Sequence, residues 1–126
     1  MQRLVGEREA GYVELVTSAS GLPDDAFWMV VDDDDGVPCL RLSGDFDLAA
    51  VRRVRTVLRP LMEAQEAGRV AIDLTGVDLV ETVTASFLVR EQARAHALGV
   101  GLELRGARGI ARRLLDLAGA RLVTEH

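Results

Sequence analysis

Val70-Ala71-Ile72-Asp73-Leu74-Thr75-Gly76-Val77-Asp78-Leu79-Val80-Glu81-Thr82 is the stretch on which the architecture turns. Val70 to Leu74 reads as a short buried strand, Thr75 to Asp78 as a turn, and Glu81-Thr82-Val83-Thr84 as the opening of a helix that ends near Gly99. The next strand signal is Val100 to Arg105. A strand followed by a helix and another strand needs a crossover, so these two strands are expected to lie parallel.

Working upstream, Asp47 is a good N-cap for a helix whose apolar residues Val51, Val54, Leu58, Leu61 and Met62 keep helical spacing until Gly68. Arg52, Arg53, Arg55 and Arg59 fall mainly outside that stripe, and Pro60 is expected to bend or break the helix because it lacks an N–H. Val37 to Ser43 and Phe27 to Val31 read as strands joined by the turn Asp32 to Gly36, an antiparallel hairpin. Trp28 and Phe27 are expected in or beside the core, with an interface as the alternative for an exposed aromatic here. Residues 1–25 read as an N-terminal extension, with a β-like run Tyr12 to Val16 and turn formers from Ser18 to Asp25.

Downstream, a third helix runs from about Ala107 to Ala118 with Ile110, Ala111, Leu114 and Leu117 on its apolar side, and Leu122 to Thr124 offers an edge strand. The order is β-β-α-β-α-β-α over residues 26–126. This is an α/β fold: one domain with a mixed, mostly parallel sheet, an initial antiparallel pair and helices packed against it.

Composition narrows the function. A net charge of −5 disfavours direct binding to nucleic acid and favours a protein partner. No apolar run approaches the roughly 20 residues of a membrane span, and charges at Arg3, Glu7, Arg8 and Glu9 break any signal peptide, so a cytoplasmic protein is expected. All fifteen basic residues are arginine, and without lysine the chain has neither a P-loop, a kinase strand lysine nor a receiver-type phosphoaspartate site. There is no Gly-x-Ser-x-Gly elbow, and His96 and His126 have no evident relay. No catalytic residue, cofactor or metal site is therefore expected. Cys39 lacks companions for a disulfide or zinc, and aligning Asp32–Asp35 with a calcium loop puts Val31 and Leu42 where carboxylates belong.

In open α/β sheets, binding sites gather beyond the carboxyl ends of the parallel strands. Gly44-Asp45-Phe46-Asp47, Asp78 to Thr84 and Gly106-Ala107-Arg108-Gly109 meet that condition. The last needs no role beyond a tight turn.

Leu42-Ser43-Gly44-Asp45-Phe46-Asp47 resembles the signature of the STAS family, leucine, any residue, glycine, any residue, leucine and aspartate, with Phe46 in the second leucine's place. Val70 to Leu74 followed by Val77 to Thr82 is similar to its central strand and phosphorylation loop, and Ile110 to Gly119 resembles its last helix. The resemblance covers residues 37–126 and is to the anti-sigma factor antagonist type. It implies a protein that binds an anti-sigma factor with kinase activity, frees a sigma factor, and is switched off by phosphorylation. By position, Thr82 takes the phosphoacceptor's place after the acidic Glu81, with Thr84 the fallback. Val83 and Thr84 replace the family's second hydroxyl residue and its glycine. The expected partner surface comprises Asp45, Asp47, Glu81, Val83, Thr84 and Ser86, although Asp47, Glu81, Thr82 and Thr84 also suit helix capping. A scaffold or sensor subunit, a soluble component of a transport system and a homo-oligomer all stay open.

Overall fold

The computed structural model describes residues 3–8, 11–16, 27–65 and 68–123. Its elements are β1 (Arg3–Arg8), β2 (Gly11–Val16), β3 (Phe27–Asp34), β4 (Val37–Phe46), α1 (Leu48–Glu63), β5 (Arg69–Val80), α2 (Thr82–Ala97), β6 (Gly101–Arg105) and α3 (Gly109–Ala118). The strands form one sheet in chain order, antiparallel from β1 through β4 and parallel from β4 through β6. The two-residue turn Asp35-Gly36 has positive φ at both positions (59° and 87°), which matches the twist of a tight hairpin and fixes the antiparallel pairing of β3 with β4. Helices α1 and α2 make the two crossovers that the parallel strands need.

Period-two alternation sorts each strand's side chains onto two faces. Phe27, Met29, Leu40, Leu42, Val70, Ile72, Leu74, Leu102 and Leu104 turn toward the helices and join Val54, Leu58, Met62 and Leu88 in the main core. Among the described residues, the opposite face has a small buried cluster of Val37, Cys39 and Ala71. Trp28 therefore departs from its expected place: neighbouring Phe27 and Met29 take the core side, and Trp28 is left 44% exposed.

Several boundaries also move. Thr75 to Asp78 is no turn, since β5 continues to Val80 and β4 continues through Gly44, Asp45 and Phe46. Two register shifts accommodate this extension, at Arg41/Ser43 and Gly44/Asp45. Gly76 is needed there because a Cβ would stand 2.7 Å from Ser43 Oγ and 3.2 Å from Leu42 O. Pro60 does not end α1, which continues to Glu63. The carbonyl that the proline leaves unbonded belongs to Thr56, on the exposed side, where water can satisfy it.

In α3 the core side is made by Ala111 and Leu115, while Ile110 and Leu117 are each 78% exposed. The C-terminal segment adds a single parallel bridge, Leu104 to Leu122, and Thr124 lies outside the described residues, as does the turn expected from Ser18 to Asp25. Two strands from within residues 1–25 extend the sheet, with β2 pairing Val13 to Val30 and Val16 to Phe27.

Candidate functional site

The end of β4 and the start of α2 come together, because Asp45 is the backbone neighbour of Leu79 and Phe46 that of Val80. Phe46 is fully buried and stacks on Phe27 (centroids 5.9 Å, 18°) while meeting Phe87 edge-on (6.4 Å, 79°). This aromatic trio ties the strand end to the second turn of α2. Phe46, a departure from the signature's leucine, thus has a structural explanation.

Two caps then set the helix starts. Asp47 accepts a hydrogen bond from Ala50 N–H at 3.1 Å, as its N-cap reading requires. At α2 the cap is made by Thr84, whose Oγ1 accepts from Glu81 N–H at 3.0 Å and donates to Glu81 C=O at 2.8 Å. Thr84 is 0% exposed, so its hydroxyl is spent in the cap and offers no surface to a partner or a kinase in this conformation. Thr82 is exposed. Glu81 and Val83 are exposed beside it, whereas Asp45, Asp47 and Ser86 are half-buried. The expected set is therefore brought together except for Thr84, which lies beneath it.

The sequence reading missed Leu48, Phe87 and the arginines around them. Between α1 and α2 a groove of about 260 Å³ is lined by Leu48, Val51, Val83 and Phe87, with Arg52, Arg55 and Arg90 at its rim. Leu48 is 60% and Val83 43% exposed. The available signal was an arginine cluster on α1 with one carboxylate, Glu63, in the whole helix. Deeper between the same helices, Arg59 Nη2 meets the buried Glu91 Oε2 at 3.3 Å. A larger cleft of about 440 Å³ lies at the sheet's edge, lined by Gln92, His96, Leu102 and Arg121 among others, away from the carboxyl ends of the strands.

On the helix-free face, Arg41 and Arg105 are both paired with carboxylates. Arg41 bridges Asp32 (3.3 Å) and Asp73 (3.0 Å), and Arg105 bridges Asp34 (2.6 Å) and Glu103 (2.8 Å). Burial pushes the Asp73 carboxyl up, but hydrogen bonds from Thr75 and the Arg41 guanidinium outweigh it and hold it below the ordinary carboxylate range. Burial pushes the Cys39 thiol up, which keeps it protonated and unreactive. Among the described residues no group of three or more His, Cys, Asp or Glu is arranged to hold a metal ion, and no helix is long and apolar enough to cross a membrane.

Comparison with known proteins fits this geometry. The family described as "Mlab, STAS domain" matches residues 29–123, from β3 to the segment after α3. The chain belongs to the STAS domain family. Among solved structures it is similar to an anti-sigma factor antagonist from Mycobacterium paratuberculosis, at 23% identity and a TM-score of 0.61, over 85% of this chain and 89% of that one. That likeness shows a shared STAS fold. No curated protein matches the chain.

Proposed function

We propose that this STAS domain is an anti-sigma factor antagonist, which binds an anti-sigma factor with serine/threonine kinase activity and thereby frees a sigma factor. On this reading it acts in the cytoplasm and is not itself an enzyme. The observation that carries the reading is the exposed Thr82 at the first turn of α2, after the acidic Glu81 and beside the strand end that bears Asp45. A phosphate there would add about −1.5 to −2 charges to the docking surface and oppose capture by bulk, desolvation and repulsion. Asp45, Glu81, Val83 and Ser86 form the contact set, with Asp47 and Thr84 holding the helix starts beneath it.

The test is phosphorylation and binding by the cognate anti-sigma kinase. With ATP it adds one phosphate to the wild type and little to Thr82→Ala. Thr82→Glu binds the kinase more weakly, and Thr82→Ala still binds. No hydrogen bond involves the Thr82 hydroxyl among the described residues, so its removal changes stability by less than about 0.5 kcal/mol. Modification elsewhere, or none by a kinase that does bind, rejects the switch.

One observation favours a second reading, a phosphorylation-independent scaffold, sensor or transport subunit. The two positions after Thr82 hold a valine and a hydroxyl sealed in a cap, which differs from the family's usual kinase target. Purification with a larger assembly and no kinase would support it.

A further inference from the structure

We propose that the groove between α1 and α2 binds an acidic amphipathic segment of the partner protein, its apolar side on Leu48, Val51, Val83 and Phe87 and its carboxylates on Arg52, Arg55 and Arg90. The inference rests on the reading of this end of the molecule as a protein-binding surface, and it specifies the chemistry of what binds.

Charge complementarity identifies the occupant. The chain as a whole is at −5, yet its three helices carry eight arginines against three carboxylates. Arg41, Arg59, Arg69, Arg94 and Arg105 each meet a carboxylate. Arg52, Arg55 and Arg90 meet none among the described residues, although they surround a single groove. Unpaired guanidiniums there are free to make forked bonds to incoming carboxylates.

The floor adds the second half of the recognition. Leu48 and Val83 are exposed on either side of it, one at the first turn of each helix, and Phe87 is held from below by Phe46. A segment with apolar residues on one side and carboxylates on the other satisfies floor and rim together. The acidic side chains Asp47 and Glu81 stand at the helix N-caps, where the backbone dipoles offset their charge.

The probes are three labelled synthetic helical peptides of roughly 18 residues, about five turns. They share one leucine spacing and carry Glu, Gln or Arg at the outward positions. By fluorescence anisotropy at low salt, the full chain binds the Glu peptide at least about tenfold more tightly than the Gln peptide, and the advantage shrinks as ionic strength rises. The combined change Arg52→Glu, Arg55→Glu and Arg90→Glu weakens the Glu peptide by about tenfold or more and strengthens the Arg peptide, an exchange of preference that misfolding cannot imitate. Val83→Ser weakens the Glu and Gln peptides alike, since it removes apolar surface without adding charge.

A wild type that does not separate the Glu and Gln peptides overturns the proposal, as does a triple variant with unchanged preference. Tighter binding to duplex DNA or to vesicles of phosphatidylglycerol than to the Glu peptide overturns it by giving the arginines to another class of ligand. Salt-sensitive self-association abolished by the triple change would give the groove to a second copy. The assay contains neither kinase nor ATP, so failure of the Thr82 switch leaves its result untouched.

Discussion

The two faces of the molecule use the same residue in opposite ways. On the helix-free face of the sheet, Arg41 and Arg105 are each held by two carboxylates: Arg41 by Asp73, opposite it in register, and by Asp32 of β3, Arg105 by Glu103 two residues back on its own strand and by Asp34 at the end of β3. On the helical face, Arg52, Arg55 and Arg90 stand over an apolar groove without such partners. A guanidinium already bridged by two carboxylates has little left to offer another molecule, whereas an unpaired one beside exposed leucine and valine does. Pairing, more than the number of arginines, separates a supporting face from a binding face.

The largest test of this division removes the part that joins them. Phe46→Ala deletes the ring that stacks on Phe27 and meets Phe87, and the loss of a fully buried aromatic costs about 3–5 kcal/mol in chemical denaturation. The floor of the groove loses its support, so binding at the start of α2 falls with it. A smaller loss with unchanged binding would show that the groove stands without the aromatic trio.

Asp73→Asn tests the supporting face with a smaller effect. At neutral pH it loses the charge-assisted bond from Arg41 and destabilises by about 1 kcal/mol, without changing partner binding. The folded Asp73 pKa lies below its ordinary value of 3.8, so its contribution is complete above that value and disappears as pH falls through the folded pKa. The gap between wild type and variant therefore starts to close as pH falls below about 4 and is gone once pH is below the folded pKa. A gap that persists in strong acid would assign the effect to packing.

The smallest effect on stability is expected at the rim. Arg52→Gln and Arg90→Gln each stay within about 0.5 kcal/mol of wild type in thermal melts, because neither loses an ion pair among the described residues. Their consequence is confined to the binding of acidic ligands. A large loss of stability would put these arginines in the same class as Arg41.

Much of this arrangement can be read along the chain. Val37 to Ser43, Val70 to Leu74 and Val100 to Arg105 are neighbours in the sheet, as their separation by helices demands, and Asp47 caps α1. The strand ends were not legible, because Gly44, Gly76 and Asp78 are turn formers by local rule. Here Gly44 and Gly76 are paired within the β4–β5 ladder, with a close approach at Ser43, and Asp78 is the residue that the second register shift leaves over. The same limit applies to α3, where several apolar residues span more than one side and only tertiary packing selects Ala111 and Leu115. At the candidate site, the order of elements was enough to bring Asp45 to Glu81. It could not distinguish the exposed Thr82 from the sealed Thr84, since that depends on which hydroxyl reaches back to Glu81. The groove is not legible in the sequence because its lining residues on α1 and α2 lie more than twenty positions apart, and neither half is unusual alone.

Gln92 gives the far side of the sheet a different property. Its Nε2 donates to Leu102 O and Arg121 O, its Oε1 accepts from Arg121 N–H, each at 2.9 Å, and Val123 N–H covers Leu104 O. These bonds occupy the outward carbonyls of β6, the strand that ends the sheet on this side. A bare edge would be a template on which another chain could add a strand, the first step of edge-to-edge aggregation. To do so here, the incoming chain must first break the carboxamide's bonds and lift the C-terminal segment away, so a side chain that touches neither the groove nor Thr82 helps keep the protein from polymerising through its own sheet.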